Sequence, residues 1–120
     1  MKVRPAGAGD ADAIAALHNA VIADPERVIT FTTELRSAEG VAALIAGGQP
    51  HWVGVEAERI MGFASHFEFR PGPGYVHTRE HTIILTPEGQ GQGLGRALMA
   101  ALEADAAERG VHSLLAGVAI

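Results

Sequence analysis

The chain has no cysteine at all, and only four Phe, one Trp and one Tyr among its 120 residues. Without thiols, a disulfide scaffold, a thiolate zinc site and a cysteine nucleophile are all excluded. Basic residues are also scarce, nine against fourteen acidic ones for a formal net charge of −5. That balance disfavours nucleic acid or an anionic membrane surface as a partner. No uninterrupted apolar run is long enough for a spanning helix, and no charged segment followed by an apolar one marks a secretory signal. The absence of cysteine is compatible with a reducing compartment, and the cytoplasm is the expected location. Hydrophobic residues make up 48% of the chain, but 22 of them are alanine, so the large apolar side chains suffice for one modest core. A single domain over residues 1–120 is expected.

Periodicity then places the elements. Lys2–Arg4 reads as a short strand ended by Pro5. Asp10 or Asp12 offers an N-cap for a helix reaching about Ala23, with Ile14, Leu17 and Val21 as its apolar stripe and Pro25 closing it. The run from Val28 to Thr33 is too polar for a core strand and reads as an extended loop. Ser37 caps a second helix that turns Val41, Leu44 and Ile45 inward and ends at Gly47-Gly48. From His51 the period becomes two: Trp52–Val55 and Ile60–Arg70 form an antiparallel pair around a tight Ala57-Glu58 connection. Pro71-Gly72-Pro73-Gly74 breaks the chain. His77–Thr86 is a strand whose Ile83-Ile84-Leu85 end should be buried on both faces. Leu94–Arg109 is a strong helix with Leu94, Leu98, Ala101 and Leu102 inward and Glu103, Asp105 and Glu108 in water, followed by Gly110. A final strand from Ser113 to Ile120 must run parallel to the strand before that helix. The sum is a mixed α/β domain. Its apolar last strand, Leu114–Ile120, would be an aggregation liability if left bare, and the chain is expected to be C-terminally incomplete or to pair there with another subunit.

The segment Pro87-Glu88-Gly89-Gln90-Gly91-Gln92-Gly93-Leu94-Gly95-Arg96 carries most information. Alternate residues lack a Cβ just where a strand turns into a helix. Backbone N–H groups can there converge on one concavity with the positive end of a helix dipole behind them, which suits a phosphate or diphosphate. The loop ends Gly95-Arg96-Ala97 rather than Gly-Lys-Ser/Thr, so it is not a nucleotide-hydrolysing P-loop. The third glycine of a dinucleotide fingerprint is replaced by Arg96 or Leu98, depending on the register chosen, and the distal acidic residue is missing.

What remains, Gln90, Gly93 and Gly95 in a Gln-x-x-Gly-x-Gly pattern after Leu85-Thr86-Pro87, resembles the diphosphate-binding motif of the GNAT superfamily of acetyl-CoA-dependent N-acetyltransferases. Phe69-Arg70, Gly74-Tyr75 and Thr78-Arg79-Glu80-His81-Thr82 are similar to the stretch that marks its phosphinothricin and methionine-sulfoximine acetyltransferases. Phe31-Thr32-Thr33-Glu34 resembles their substrate-side loop. The resemblance implies the GNAT acyl-CoA N-acyltransferase fold, a mixed central sheet flanked by helices. It also implies acetyl-CoA as co-substrate, no metal, a small-molecule amine as acceptor, and a homodimer. Family members continue with a further strand, helix and strand that usually carry a tyrosine proposed as general acid. The only tyrosine here is Tyr75, elsewhere in the chain.

On this resemblance the diphosphate would lie on the backbone of Gln90, Gly91, Gln92, Gly93, Leu94, Gly95 and Arg96, and the pantetheine arm would pair with Ile83, Ile84 and Leu85. The five residue steps from Leu85 back to Glu80 span about 16 Å in a strand, comparable with that arm, which brings Glu80 near the thioester. Glu80 is the expected general base, acting through water, and a backbone N–H of Ile83–Leu85 could polarise the thioester carbonyl. Arg70 is expected to fork onto a substrate carboxylate or phosphinate, with Phe31, Thr32 and Glu34 around the other end. Glu80 should share a strand face with Thr82 and Ile84, and His81 should pack on the opposite, helix-bearing side. Trp52 is expected in the core. His77 and His81 have no third ligand at a metal-like spacing. The expected activity is transfer of acetyl to the α-amine of a small amino-acid analogue. A non-catalytic acyl-CoA-binding module and a GNAT enzyme acting on a peptide or protein amine remain as alternatives.

Overall fold

The computed structural model describes residues 2–23, 36–68, 78–111 and 113–116. Within them the order is β1 (Lys2–Pro5), α1 (Ala11–Ala23), α2 (Ala38–Ala46), β2 (His51–Glu56), β3 (Arg59–Glu68), β4 (Thr78–Leu85), α3 (Leu94–Glu108) and β5 (Ser113–Ala116). The strands form one sheet in the order β1-β2-β3-β4-β5. All pairs are antiparallel except β4 and β5, whose parallel pairing follows from the α3 crossover between them. Pro25, the 28–33 loop and the 71–74 break lie outside the described residues.

Each face of the sheet carries its own core. Ala11, Ile14, Ala15 and Val21 of α1 and Val41 of α2 pack on Val53, Phe63 and Ile84. Leu94, Leu98 and Leu102, one stripe of α3, pack on the other face with Met61 and Ala64, flanked by Val3, Trp52, Ile83 and Leu85. Burying each such leucine contributes about 1.5–3 kcal/mol, so α3 is held by its stripe rather than by propensity. Trp52 joins this second core at its margin, half-buried.

Two glycines decide how closely α3 approaches. Gly54 on β2 and Gly62 on β3 are cross-strand partners. A Cβ on Gly54 would lie 2.3 Å from Leu94 Cδ1; one on Gly62 would lie 2.6 Å from Leu85 Cδ2 and 3.2 Å from Leu94 Cδ2. Leu94, the first residue of α3, therefore occupies the space that two missing side chains leave. Beside this contact β3 carries a bulge: Gly54 pairs with Gly62 and Val55 with Ile60, which leaves Met61 as an extra residue. On its other side the Met61 carbonyl accepts the Thr86 N–H at 2.8 Å, one step beyond the Gly62–Leu85 pair of the β3–β4 ladder.

Several local expectations need correction. Asp10 does not cap α1; it ends a 3-10 turn (Ala8–Asp10), accepting from Gly7 N at 2.8 Å and from both Arg4 guanidinium nitrogens at 2.8 and 3.0 Å. That bidentate pair holds the Asp10 carboxyl below its ordinary range. Leu44 faces outward, 36% exposed, because α2 presents Val41 to the sheet and is only nine residues long. At the end of β4 only Ile84 is buried, while Ile83 and Leu85 stay half-buried. Ser37 does cap α2, accepting from Gly40 N at 3.0 Å. The tight connection is also as expected: Ala57 and Glu58 both have positive φ, 49° and 66°, which a two-residue hairpin of this twist requires.

Asp105 is not left in water. Its Oδ2 lies 2.6 Å from Nε2 of His66, a side chain with no exposure, and accepts from Arg109 Nε at 2.8 Å. Arg79 Nε donates to His66 Nδ1 at 2.7 Å. Because arginine can only donate, Nδ1 is the bare nitrogen, and Nε2–H donates to Asp105. A neutral imidazole thus joins β3, β4 and α3, and a second proton would have to be placed against the Arg79 N–H.

Three buried histidines share this preference for neutrality. Burial is the largest influence lowering the pKa of His18, His51 and His66; Arg36 adds to it at the first two, while Arg79 and Arg109 add to it at His66 against the pull of Asp105. Histidines held below their unfolded value contribute stability that is complete above about pH 6.5 and is lost as pH falls beneath it. Thermal unfolding followed between pH 7 and pH 5 should show the midpoint falling by roughly 5 °C or more. A flat profile over that interval would contradict the neutral assignment.

Candidate functional site

The glycine-rich loop is tied to the sheet from its first residue. Thr86 caps a short 3-10 turn (Pro87–Gly89): its hydroxyl accepts from Gly89 N at 3.0 Å, and its own N–H is held by Met61. A Cβ on Gly89 would stand 2.9 Å from the Met61 carbonyl oxygen, so the loop lies directly on the bulge. Gln92 Nε2 donates to the Glu88 carbonyl at 2.7 Å and closes the loop on itself. Gly91 and Gly93 then adopt left-handed conformations, φ +77° and +78°. At both positions nothing lies within 4 Å of where a Cβ would stand.

Gly93 is the N-cap of α3, and no side chain accepts there. The amides of Leu94, Gly95 and Arg96 have no preceding helical turn to receive their hydrogens. These donors, at the positive end of a fifteen-residue helix, open onto solvent beside exposed Gln90, Gly91, Gln92 and Arg96. Such an arrangement can hold a phosphate or diphosphate through main-chain hydrogen bonds. The Leu94 side chain is packed on the sheet at 3% exposure, so only its amide is available. Gly95 sits half-buried, where a Cβ would be 3.7 Å from Leu85.

The neighbouring strand divides its residues between the faces as alternation requires. Ile84 packs with the α1 and α2 core, and Ile83 and Leu85 with the α3 core. Glu80 therefore shares a face with Thr82 and Ile84, opposite Phe67 in the ladder, and is half-buried. His81 lies on the α3 side as expected, its Nδ1 buried without a partner among the described residues. Both faces carry helices, so Glu80 looks toward α1 and α2 rather than onto a bare surface. The β4–β5 ladder runs from Thr78–Ser113 to His81–Ala116; among the described residues no strand flanks Thr82–Ile84 on that edge. The Ile84 side chain belongs to the core, which leaves its backbone as the part a ligand could reach. Phe31, Thr32, Glu34 and Arg70 lie outside the described residues, as do Tyr75 and His77. Among the described residues no group of three or more metal-ligating side chains occurs.

Sequence reading missed three contributors. Thr86 and Met61 seat the loop, and a Thr-Pro pair after an apolar strand was the available signal for the first. His18 is the third: it falls four residues after Ile14 and three before Val21, on the buried stripe of α1, where a histidine needs a reason.

The architecture is a mixed sheet with helices on both faces and an open helix N-terminus at a strand end, which is compatible with a coenzyme-binding α/β fold. The sequence matches the acetyltransferase (GNAT) family over residues 16–120, and the chain belongs to that family of acetyl-CoA-dependent N-acetyltransferases. It is 33% identical to the L-amino acid N-acyltransferase MnaT of Escherichia coli K12, across 98% of this chain and 70% of that protein. The L-methionine sulfoximine/L-methionine sulfone acetyltransferase of Salmonella typhimurium is 31% identical with the same coverage. An acetyltransferase structure from Salmonella typhimurium, solved with its cofactor acetyl-CoA, superposes with a TM-score of 0.88 at 28% identity, over 98% of this chain and 69% of that one. The expected family and fold are borne out.

Gly93→Val places a branched side chain at φ +78° and beside the free amides. Acetyl-CoA affinity, measured by calorimetry, should fall at least about 100-fold, equivalent to losing one or two charge-assisted hydrogen bonds. Unchanged affinity would show that the loop does not carry the diphosphate.

Proposed function

We propose that this protein transfers the acetyl group of acetyl-CoA to the α-amine of a small amino-acid analogue of the methionine sulfoximine or phosphinothricin type. The observation that carries the reading is the glycine loop seated at the end of β4 by Leu94, with the edge of Thr82–Ile84 leading from it toward Glu80. The relatives named for L-amino acid and methionine sulfoximine acylation support the choice of acceptor.

In this reading the diphosphate rests on the amides from Gln90 to Arg96, and the pantetheine arm extends along Ile83–Leu85. Glu80 then lies about five strand residues, or ~16 Å, from the phosphate end. An α-amine is mostly protonated at neutral pH and cannot attack until it loses a proton. Glu80 takes that proton through water; the nitrogen lone pair then adds to the thioester carbonyl. A main-chain N–H of β4 stabilises the oxyanion, and collapse breaks the C–S bond as the nitrogen gives up its extra proton, which balances the one the departing coenzyme thiolate gains through water. Arg70 grips the acceptor's carboxylate or phosphinate, and Phe31, Thr32 and Glu34 border it. No covalent acyl-enzyme forms, which accords with a chain that has no cysteine.

Glu80→Gln preserves size and hydrogen bonding but cannot take the proton. With methionine sulfoximine as acceptor, kcat should fall about 100-fold or more while acetyl-CoA affinity stays unchanged. Equal turnover would remove Glu80 from the mechanism. Wild-type protein that binds acetyl-CoA yet acetylates no amino-acid analogue would favour a coenzyme-binding module instead.

A further inference from the structure

Beside Glu80, on the same face of the sheet, lies a small pocket that the mechanism above does not use. It is lined by His18 of α1, Arg36, Gln49, His51, Ser65 and Thr82, with Phe63 and Phe67 among its apolar walls. Thr82 is two residues along β4 from Glu80, and Phe67 is Glu80's ladder partner. The enclosed space is about 20 Å³, room for one oxygen-sized group.

Half of this polar lining is already engaged. Ser65 Oγ donates to the Pro50 carbonyl at 2.8 Å and accepts from Gln49 Nε2 at 3.0 Å. His51 Nδ1 lies 3.0 Å from the Gln49 carbonyl, to which it must donate because a carbonyl has no hydrogen. The other half is not engaged. His18 is 4% exposed, and its Nε2 has no hydrogen-bond partner, a costly state for a buried ring nitrogen. Among the described residues the Thr82 hydroxyl makes no hydrogen bond and Arg36 forms no ion pair.

The backbone of Arg36 is fixed in place, while the residue itself is exposed at the pocket mouth. Asn19, the residue after His18, clamps its backbone from both sides: Arg36 N donates to Asn19 Oδ1 at 2.7 Å, and Asn19 Nδ2 donates to the Arg36 carbonyl at 2.8 Å. The two residues at the pocket are thereby tied through one asparagine. Burial and the nearby guanidinium hold His18 below its ordinary pKa, so the imidazole is neutral and Arg36 supplies the charge.

Three groups that can all donate, one of them cationic, around a space for one heavy atom match an oxyanion oxygen. A cation would meet Arg36 with like charge, and an apolar tip would leave His18 Nε2 unsatisfied. We propose that this pocket is an acceptor-recognition site in which His18, Thr82 and Arg36 bind an oxyanion or strongly polarised oxygen of the amino-acid acceptor, and that it sets acceptor specificity. This rests on the acetyltransferase reading above and adds His18 and Arg36 to it as binding residues. The oxygen could belong to the acceptor's α-carboxylate or to the polar tip of its side chain.

The test compares wild type with His18→Leu, His18→Gln, His18→Asn and Arg36→Gln, using methionine sulfone as acceptor. His18→Leu and Arg36→Gln should raise KM for the acceptor about 10-fold, with kcat and acetyl-CoA affinity little changed. Glutamine places its amide nitrogen near the position of the imidazole Nε2, and asparagine does not reach it, so His18→Gln should restore most of the loss and His18→Asn should not. A merely structural role would lower kcat and the melting temperature in His18→Leu and would not separate glutamine from asparagine. The source of the oxygen follows from two further acceptors. If it is the carboxylate, the His18→Leu penalty disappears with methionine sulfone amide; if it is the tip, the penalty disappears with methionine. A penalty that persists with both, or an unchanged KM in both His18→Leu and Arg36→Gln, overturns the proposal while leaving acetyl transfer intact. Failure of wild type to acetylate any of these acceptors removes both readings together.

Discussion

The glycine loop proposed to hold the coenzyme depends for its position on two missing side chains in the sheet. Gly54 and Gly62 face each other across β2 and β3, and Leu94 fills the space above them. Because Leu94 is the first residue of α3, the contact fixes where the helix begins, not merely that it packs. The bulge at Met61 then holds Thr86 and crowds Gly89, so the loop has two anchors on the sheet and one in the helix. Between those anchors Gly91 and Gly93 turn through left-handed conformations that leave the space above them open. A flexible glycine loop would lose its ordering entropy on each binding event; a loop seated this way has already lost it.

Two buried histidines on opposite faces of the sheet, His66 and His18, differ in what their ring nitrogens meet. On the α3 face His66 is completely buried and fully engaged, donating to Asp105 and accepting from Arg79. Such a network ties the far end of α3 to β3 and β4, and it takes up both ring nitrogens of His66. On the α1 face His18 is also buried but keeps a ring nitrogen without a partner, next to Glu80's stretch of β4. His81 Nδ1, on the α3 side, is likewise buried without a partner among the described residues, so an open ring nitrogen does not by itself mark a site; His18 differs in lining a pocket with Arg36 and Thr82.

The fold was largely legible because its signals are local. Alternation gave β2 to β4, Ser37 announced α2, and the glycine run announced the turn from β4 into the N-terminus of α3. Glu80's face followed from alternation alone. What escaped was what distance in sequence hides. Gly54 and Gly62 read as ordinary strand residues, because nothing near them in the chain says that Leu94 will arrive there. Asp105 read as a solvated helix carboxylate, since its partner His66 lies 39 residues away. Leu44 read as inward because periodicity assigns a face without saying how wide the covering surface is. Asp10 offered a cap, but Arg4 and Gly7 reach it first.

The central claim is that main-chain donors positioned by Leu94 bind the diphosphate of the coenzyme. Calorimetric titration of the protein with acetyl-CoA and with S-acetylpantetheine, which keeps the thioester arm but lacks the diphosphate, tests it most directly. The account requires the truncated donor to bind at least about 100-fold more weakly, the loss expected when charge-assisted hydrogen bonds to the loop are removed. Equal affinity for the two would mean that the arm alone is recognised and that the seated loop does not bind the coenzyme.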